Sequence, residues 1–87
     1  MTALLKNYSR KKISFVKGKG CYLYSSRGQK YLDFVQGIAV NSLGHCHSSL
    51  IKTINKQSKK LWHVSNVFTI NEQEELAKKL VKNSFAD

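Results

Sequence analysis

The densest group of chemistry-bearing side chains in this 87-residue chain is Gly44-His45-Cys46-His47. Imidazole and thiolate are zinc ligands, but a structural zinc site takes four donors, usually in two separated pairs. Only Cys21 and His63 remain to complete such a set. A turn whose histidines hydrogen-bond backbone at a helix start asks less of the chain and is the expected arrangement. A Cys–His nucleophile would need Cys46 exposed and acidified, and neighbours in sequence rarely present a relay geometry. Gly18-Lys19-Gly20 lacks the partner positions of a phosphate-binding loop and reads as a turn. No catalytic, cofactor-binding or metal-ligating residue is assigned on these grounds.

The elements that must carry these residues follow from the pattern around Tyr31–His47. An apolar run broken by Gly37 and Gly44 is backbone that has to bend or be closely approached. Before it, Ile13 to Val16 is a short strand candidate closed by Gly18 and Gly20. Cys21 to Tyr24 and Gln29 to Phe34 alternate and are rich in aromatics, and Ser25-Ser26-Arg27-Gly28 between them has turn composition, so a hairpin is predicted. Tyr31 and Asp33 would share one face of it, with Leu32 and Phe34 on the other. Beyond the glycines, Ser48 or Ser49 is placed to cap a helix reaching about Trp62, with Leu50, Ile51, Ile54 and Leu61 along one stripe. A second helix is expected from Asn71, whose side chain would cap with Glu74 three residues on. Glu74–Lys78 and Glu75–Lys79 are favourable pairs on its surface. The fold class is α+β: an antiparallel hairpin followed by two helices. Residues 1–12 form a basic lead-in, 13–47 the hairpin and glycine segment, and 48–87 the two helices.

The net charge is +10, and residues 1–32 hold eight Lys or Arg and no acid. Such an arm suggests nucleic acid, so a small basic nucleic-acid-binding module using residues 1–32 is the alternative reading. Thirteen of the fifteen cations are Lys, which make fewer bidentate contacts than Arg. No nucleic-acid motif accompanies them, and a solvated surface is the reading preferred. Two cysteines without a secretory segment fit free thiols in a reducing compartment. The uncharged run from Phe34 to Ile51 is too polar for a membrane span, and the expected location is cytoplasmic.

Tyr31-Leu-Asp-Phe34, Gly37-Ile-Ala-Val-Asn41, Leu43-Gly-His45 and His47 together resemble the N-terminal signature of the class III pyridoxal-phosphate aminotransferases, and within them the acetylornithine-type branch. Gly18-Lys-Gly20, Tyr22-Leu23, Gly28, Ser65-Asn66, Phe68 and Ser84-Phe-Ala-Asp87 extend the likeness from about Asn7 to Asp87. The resemblance implies the N-terminal small-domain part of a fold-type-I enzyme. Such an enzyme moves an amino group between N-acetylornithine and 2-oxoglutarate through pyridoxal phosphate, in arginine biosynthesis, as a homodimer. It also implies that Tyr8 and Ile38 face the substrate and that Ser65, Asn66 and Phe68 lie at the dimer interface near the partner's site. In the family the Schiff-base lysine and the phosphate loop lie further on than a Ser-Phe-Ala-Asp segment. The chain alone is therefore expected neither to bind the cofactor nor to catalyse, and to expose apolar surface at Leu50, Ile54, Leu61, Leu76, Leu80 and Phe85. Ser48 and Lys11-Lys12 stand where the family commonly has proline, which removes fixed φ angles at two bends.

Overall fold

The β-branched and aromatic residues between Phe15 and Leu32 build a three-stranded antiparallel sheet of order β1-β2-β3 in the computed structural model: β1 (Phe15–Lys19), β2 (Tyr22–Ser25) and β3 (Lys30–Leu32). The structure describes residues 2–86. Met1 and Asp87, the last residue of the Ser84-Phe-Ala-Asp segment, lie outside the described residues. The chain divides into two compact units, Met1–Asn55 and Lys56–Asp87. The first holds the sheet.

Register follows the side-chain alternation. Lys17 pairs with Tyr24 and Lys19 with Tyr22 across β1 and β2, and Leu23 pairs with Tyr31 across β2 and β3. On the face carrying Tyr22 and Tyr24, the Lys30 Nζ sits 3.9 Å from the Tyr22 ring centre and the Lys17 Nζ 5.4 Å from that of Tyr24. The other face carries Leu23 and Tyr31, and Phe15 meets Tyr31 edge-on at 5.5 Å. The predicted turn forms at its predicted residues. Ser25, only 4% exposed, receives the Arg27 and Gln29 amides on its Oγ. Gly28, at φ +78°, donates to the Ser25 carbonyl.

The first strand departs from expectation. Gly18 does not close it but lies inside it, and the glycine that turns is Gly20, at φ +55°. The reason is a close approach: a β-carbon on Gly18 would stand 2.7 Å from Cγ and 2.8 Å from Cβ of His45. The alternation also stops earlier than predicted, at Leu32. Phe34 therefore lies beyond the ladder, 88% exposed, and takes no part in the alternation.

Two regular helices follow a single tight turn, α1 (Gln36–Ala39): α2 (Ser48–Gln57) and α3 (Asn71–Lys82). The start of α2 is held by His47, not by a serine cap. Its carbonyl accepts from Ile51 N at 3.0 Å and its Nδ1 from Ser49 N at 3.3 Å. The helix ends at Gln57 rather than near Trp62, because the Gln57 carbonyl takes both the Lys60 and Leu61 amides while its side-chain amide donates to Leu61 O. At α3 the expected Asn71 cap is absent. Ile70, in extended conformation, takes the cap position without a side-chain bond, so Asn71 is already helical. Lys78 and Glu74 approach to 3.5 Å, both exposed, a pairing worth about 0.3–0.5 kcal/mol. No apolar side chain is buried among the described residues, and Leu50, Ile54, Leu61, Leu76, Leu80 and Phe85 are all exposed.

The contact of Gly18 with His45 sets a test. Gly18→Ala drives a methyl into the base of the imidazole and should destabilise this junction by about 1–3 kcal/mol. Amide exchange at Gly20 and His45 should accelerate by about fivefold to a hundredfold, as that range implies. Unchanged protection would show that the ring can step aside freely.

Candidate functional site

Asp33 is the sole acid before Glu72, and the chain folds a polar junction around it. Its Oδ1 accepts the Val35 amide at 3.0 Å and the Gln36 amide at 2.9 Å. Its Oδ2 lies 2.6 Å from His45 Nε2. The other imidazole nitrogen, Nδ1, is 3.4 Å from the Asn41 side-chain amide nitrogen. With Asn41 donating to Nδ1, the ring carries its proton on Nε2 and donates it to the carboxylate. The backbone fastens the same histidine to the sheet: Gly20 N donates to His45 O at 3.0 Å, and His45 N to Gly20 O at 2.8 Å. Gly44, at φ +82°, permits this approach, since a β-carbon there would stand 3.0 Å from Gly20 O.

Between Asp33 and Asn41 the chain makes a left-handed turn. Gln36, Gly37, Ile38 and Ala39 have φ of 51°, 61°, 70° and 61°. For an L-residue with a Cβ this conformation costs about 1–2 kcal/mol, and a β-branched residue such as Ile38 is especially disfavoured there. Ile38 N and Ala39 N both donate to Val35 O, while Val40 N and Asn41 N donate to Gln36 O. These bonds close the turn. The carboxylate of Asp33 fixes its entry, and Asn41 ties its exit to His45.

An open groove of about 520 Å³ runs along the sheet face beside this junction, lined by Phe15, Leu23, Tyr31 and Phe34, with Asp33 and His45 among its walls. The candidates singled out in the sequence sit elsewhere. Tyr8 is 72% exposed in the lead-in, with the Arg10 guanidinium 5.4 Å from its ring centre. Ile38 is 85% exposed on the left-handed turn. Neither lines the groove. Ser65 shapes its own loop in the second unit, its carbonyl receiving Phe68 N and its Oγ receiving Val67 N. Asn66 and Phe68 line a second open groove, of about 500 Å³, against Gln73 and Ala77 of α3. Sequence reasoning missed the Asp33–His45 pair, which sits twelve residues apart. A single acid in an otherwise acid-free stretch, followed by histidine in a glycine turn, was the available signal. His47 meets the expectation of a histidine bonding backbone at a helix start; His45 does not.

The bond from the Gln36 amide, then that from His45, hold the Asp33 carboxyl below its ordinary pKa, against an opposing push from burial. A carboxyl depressed in the folded state stabilises it fully above the unfolded value of about 3.9 and loses that contribution as pH falls through the folded value. The Gln36 amide proton should therefore shift with a midpoint below about 3.9 when followed by NMR through an acid titration. A midpoint at or above that value would contradict the geometry.

The family model described as "Aminotransferase class-III" matches residues 5–87. The chain is 52% identical over 87 residues to the acetylornithine aminotransferase of Aquifex aeolicus, which covers all of this chain and 23% of that protein. It is 52% identical over 80 residues to acetylornithine aminotransferase 2 of Caulobacter vibrioides, covering 92% of this chain and 20% of that one. Among solved structures, the N-acetylornithine aminotransferase of Stenotrophomonas maltophilia superposes with a TM-score of 0.79 at 37% identity, over 86% of this chain and 21% of that one. The adenosylmethionine-8-amino-7-oxononanoate aminotransferase of Methanocaldococcus jannaschii superposes at 0.83 with 30% identity, over 94% and 20%. The chain spans about a fifth of the length of the curated relatives it matches. Its sheet and helices match part of the fold-type-I, pyridoxal-phosphate-dependent architecture. A family match over nearly every residue, with superposition on a solved aminotransferase along 86% of the chain, establishes that the chain belongs to the class-III aminotransferases.

Proposed function

We propose that the chain is the N-terminal, small-domain portion of an acetylornithine-type aminotransferase. The complete enzyme transfers an amino group between N-acetylornithine and 2-oxoglutarate with pyridoxal phosphate, in arginine biosynthesis, as a cytoplasmic homodimer. The observation that carries this is the 52% identity to an acetylornithine aminotransferase along the whole chain. Within that reading Tyr8 and Ile38 face the substrate, and Ser65, Asn66 and Phe68 face the second subunit. The alternative nucleic-acid role is less well supported, since Lys17 and Lys30 of the basic region lie over tyrosine rings.

The residues present do not fit the cofactor. Pyridoxal phosphate needs a lysine as its covalent partner and an acid opposite the ring nitrogen. All thirteen lysines are exposed on the surface. Asp33, the acid closest to an enclosed setting, already accepts from His45, Val35 and Gln36. What the segment supplies is shape at the entrance. The reacting groups belong to the rest of the enzyme.

The function is tested by grafting. The 87 residues are exchanged for the aligned segment of the Aquifex aeolicus enzyme, and transamination of N-acetylornithine is measured. Activity should survive, and Ile38→Tyr in the graft should raise KM for N-acetylornithine about tenfold or more by filling the pocket. A folded graft that prefers another amino donor would refute the substrate assignment. For the chain alone, borohydride reduction in the presence of pyridoxal phosphate should leave no stoichiometric adduct on any one lysine. Full modification of a single lysine would contradict the scaffold role.

A further inference from the structure

The left-handed turn is the feature of this chain least explained by its own packing. Four consecutive residues at φ between 51° and 70°, three of them with side chains, are a costly arrangement, and strain of this kind persists only where its surroundings over-determine it. Here the surroundings are polar and specific. One oxygen of Asp33 fixes the two amides that enter the turn, and the other is held by His45 at 2.6 Å. His45 is in turn clamped to Gly20 by two backbone bonds and stands against the bare face of Gly18. The Asp33 side chain is 6% exposed and that of His45 18%, whereas Ile38, at the far side of the turn, stands free. The junction is thus shielded and the residue it presents is not.

We infer that Asp33 and His45 are positioning residues: together they lock the Gln36–Ala39 turn left-handed and so fix where Ile38 stands at the substrate entrance. The inference rests on the reading of Ile38 as a substrate-facing residue. Neither Asp33 nor His45 touches substrate. They act through the turn, and their removal would let Ile38 swing with the backbone of its own loop. The sheet does not depend on the lock in the same way, because β1, β2 and β3 are joined by their own ladder.

The experiment has two parts. In the 87-residue chain, NMR reads the intraresidue amide–Hα contact that is short at positive φ. It should be strong at Gln36, Ile38 and Ala39, weaken to the level of the strands in His45→Ala and Asp33→Ala, and return in His45→Gln, whose amide can donate from nearly the same place. Should Asp33→Ala also lose the cross-strand contacts of the sheet, the pair His45→Ala and His45→Gln decides. Turn signals unchanged in His45→Ala overturn the inference. In the grafted enzyme, His45→Ala should raise KM for N-acetylornithine about tenfold while kcat stays within about twofold, the signature of lost positioning rather than lost chemistry, and His45→Gln should restore it. If Ile38→Tyr alters KM but His45→Ala does not, the lock plays no part in substrate placement and the inference fails alone. If neither alters it, the assignment of Ile38 fails.

Discussion

A single carboxylate does two jobs in this chain, and the rest of the described structure is arranged so that it can do both. Asp33 directly follows the third strand and begins the glycine segment. Its two oxygens point to different parts of the chain: one to the amides of the left-handed turn, the other to the imidazole twelve residues on. The contact ties the sheet, the turn and the segment leading to α2 into one junction. With no apolar side chain buried among the described residues, directional hydrogen bonds carry a larger share of local order here than in a domain with a closed core. The glycines around the junction follow from it. Gly18 leaves room for the imidazole, and Gly44 lets the backbone of the histidine turn reach Gly20.

Much of this was legible in the residues. The turn Ser25–Gly28, the pairing of the second and third strands and the extent of α3 follow from alternation, turn composition and charge placement. The limits are equally specific. Alternation could not say that Gly18 is bare because of a histidine 27 positions away, since that is a tertiary contact. It also carried the strand on to Phe34, whereas the strand ends at Leu32 and the chain bends at Phe34 and Val35. The cap of α2 fell to His47, which follows Cys46 at φ +56°. Glycine at position 37 announced a bend, but nothing in the residue types announced that Gln36, Ile38 and Ala39 would share its left-handed conformation.

The candidate site was legible in a different sense. Family motifs pointed to the segment from Tyr31 to His47, and the structure places its most constrained geometry there. They did not reveal which side chains hold that geometry. Tyr8 and Ile38 are exposed and make no part of the groove on the sheet. The lysines of the segment are likewise all exposed.

The junction depends most directly on the proton between His45 and Asp33. Nitrogen NMR of the His45 ring tests it with the chain unaltered: Nε2, 2.6 Å from the carboxylate, should carry a slowly exchanging proton. A ring protonated on Nδ1 instead, or one whose Nε2 proton exchanges as fast as that of a solvated histidine, would mean that the junction is not closed and that the left-handed turn is held by something else.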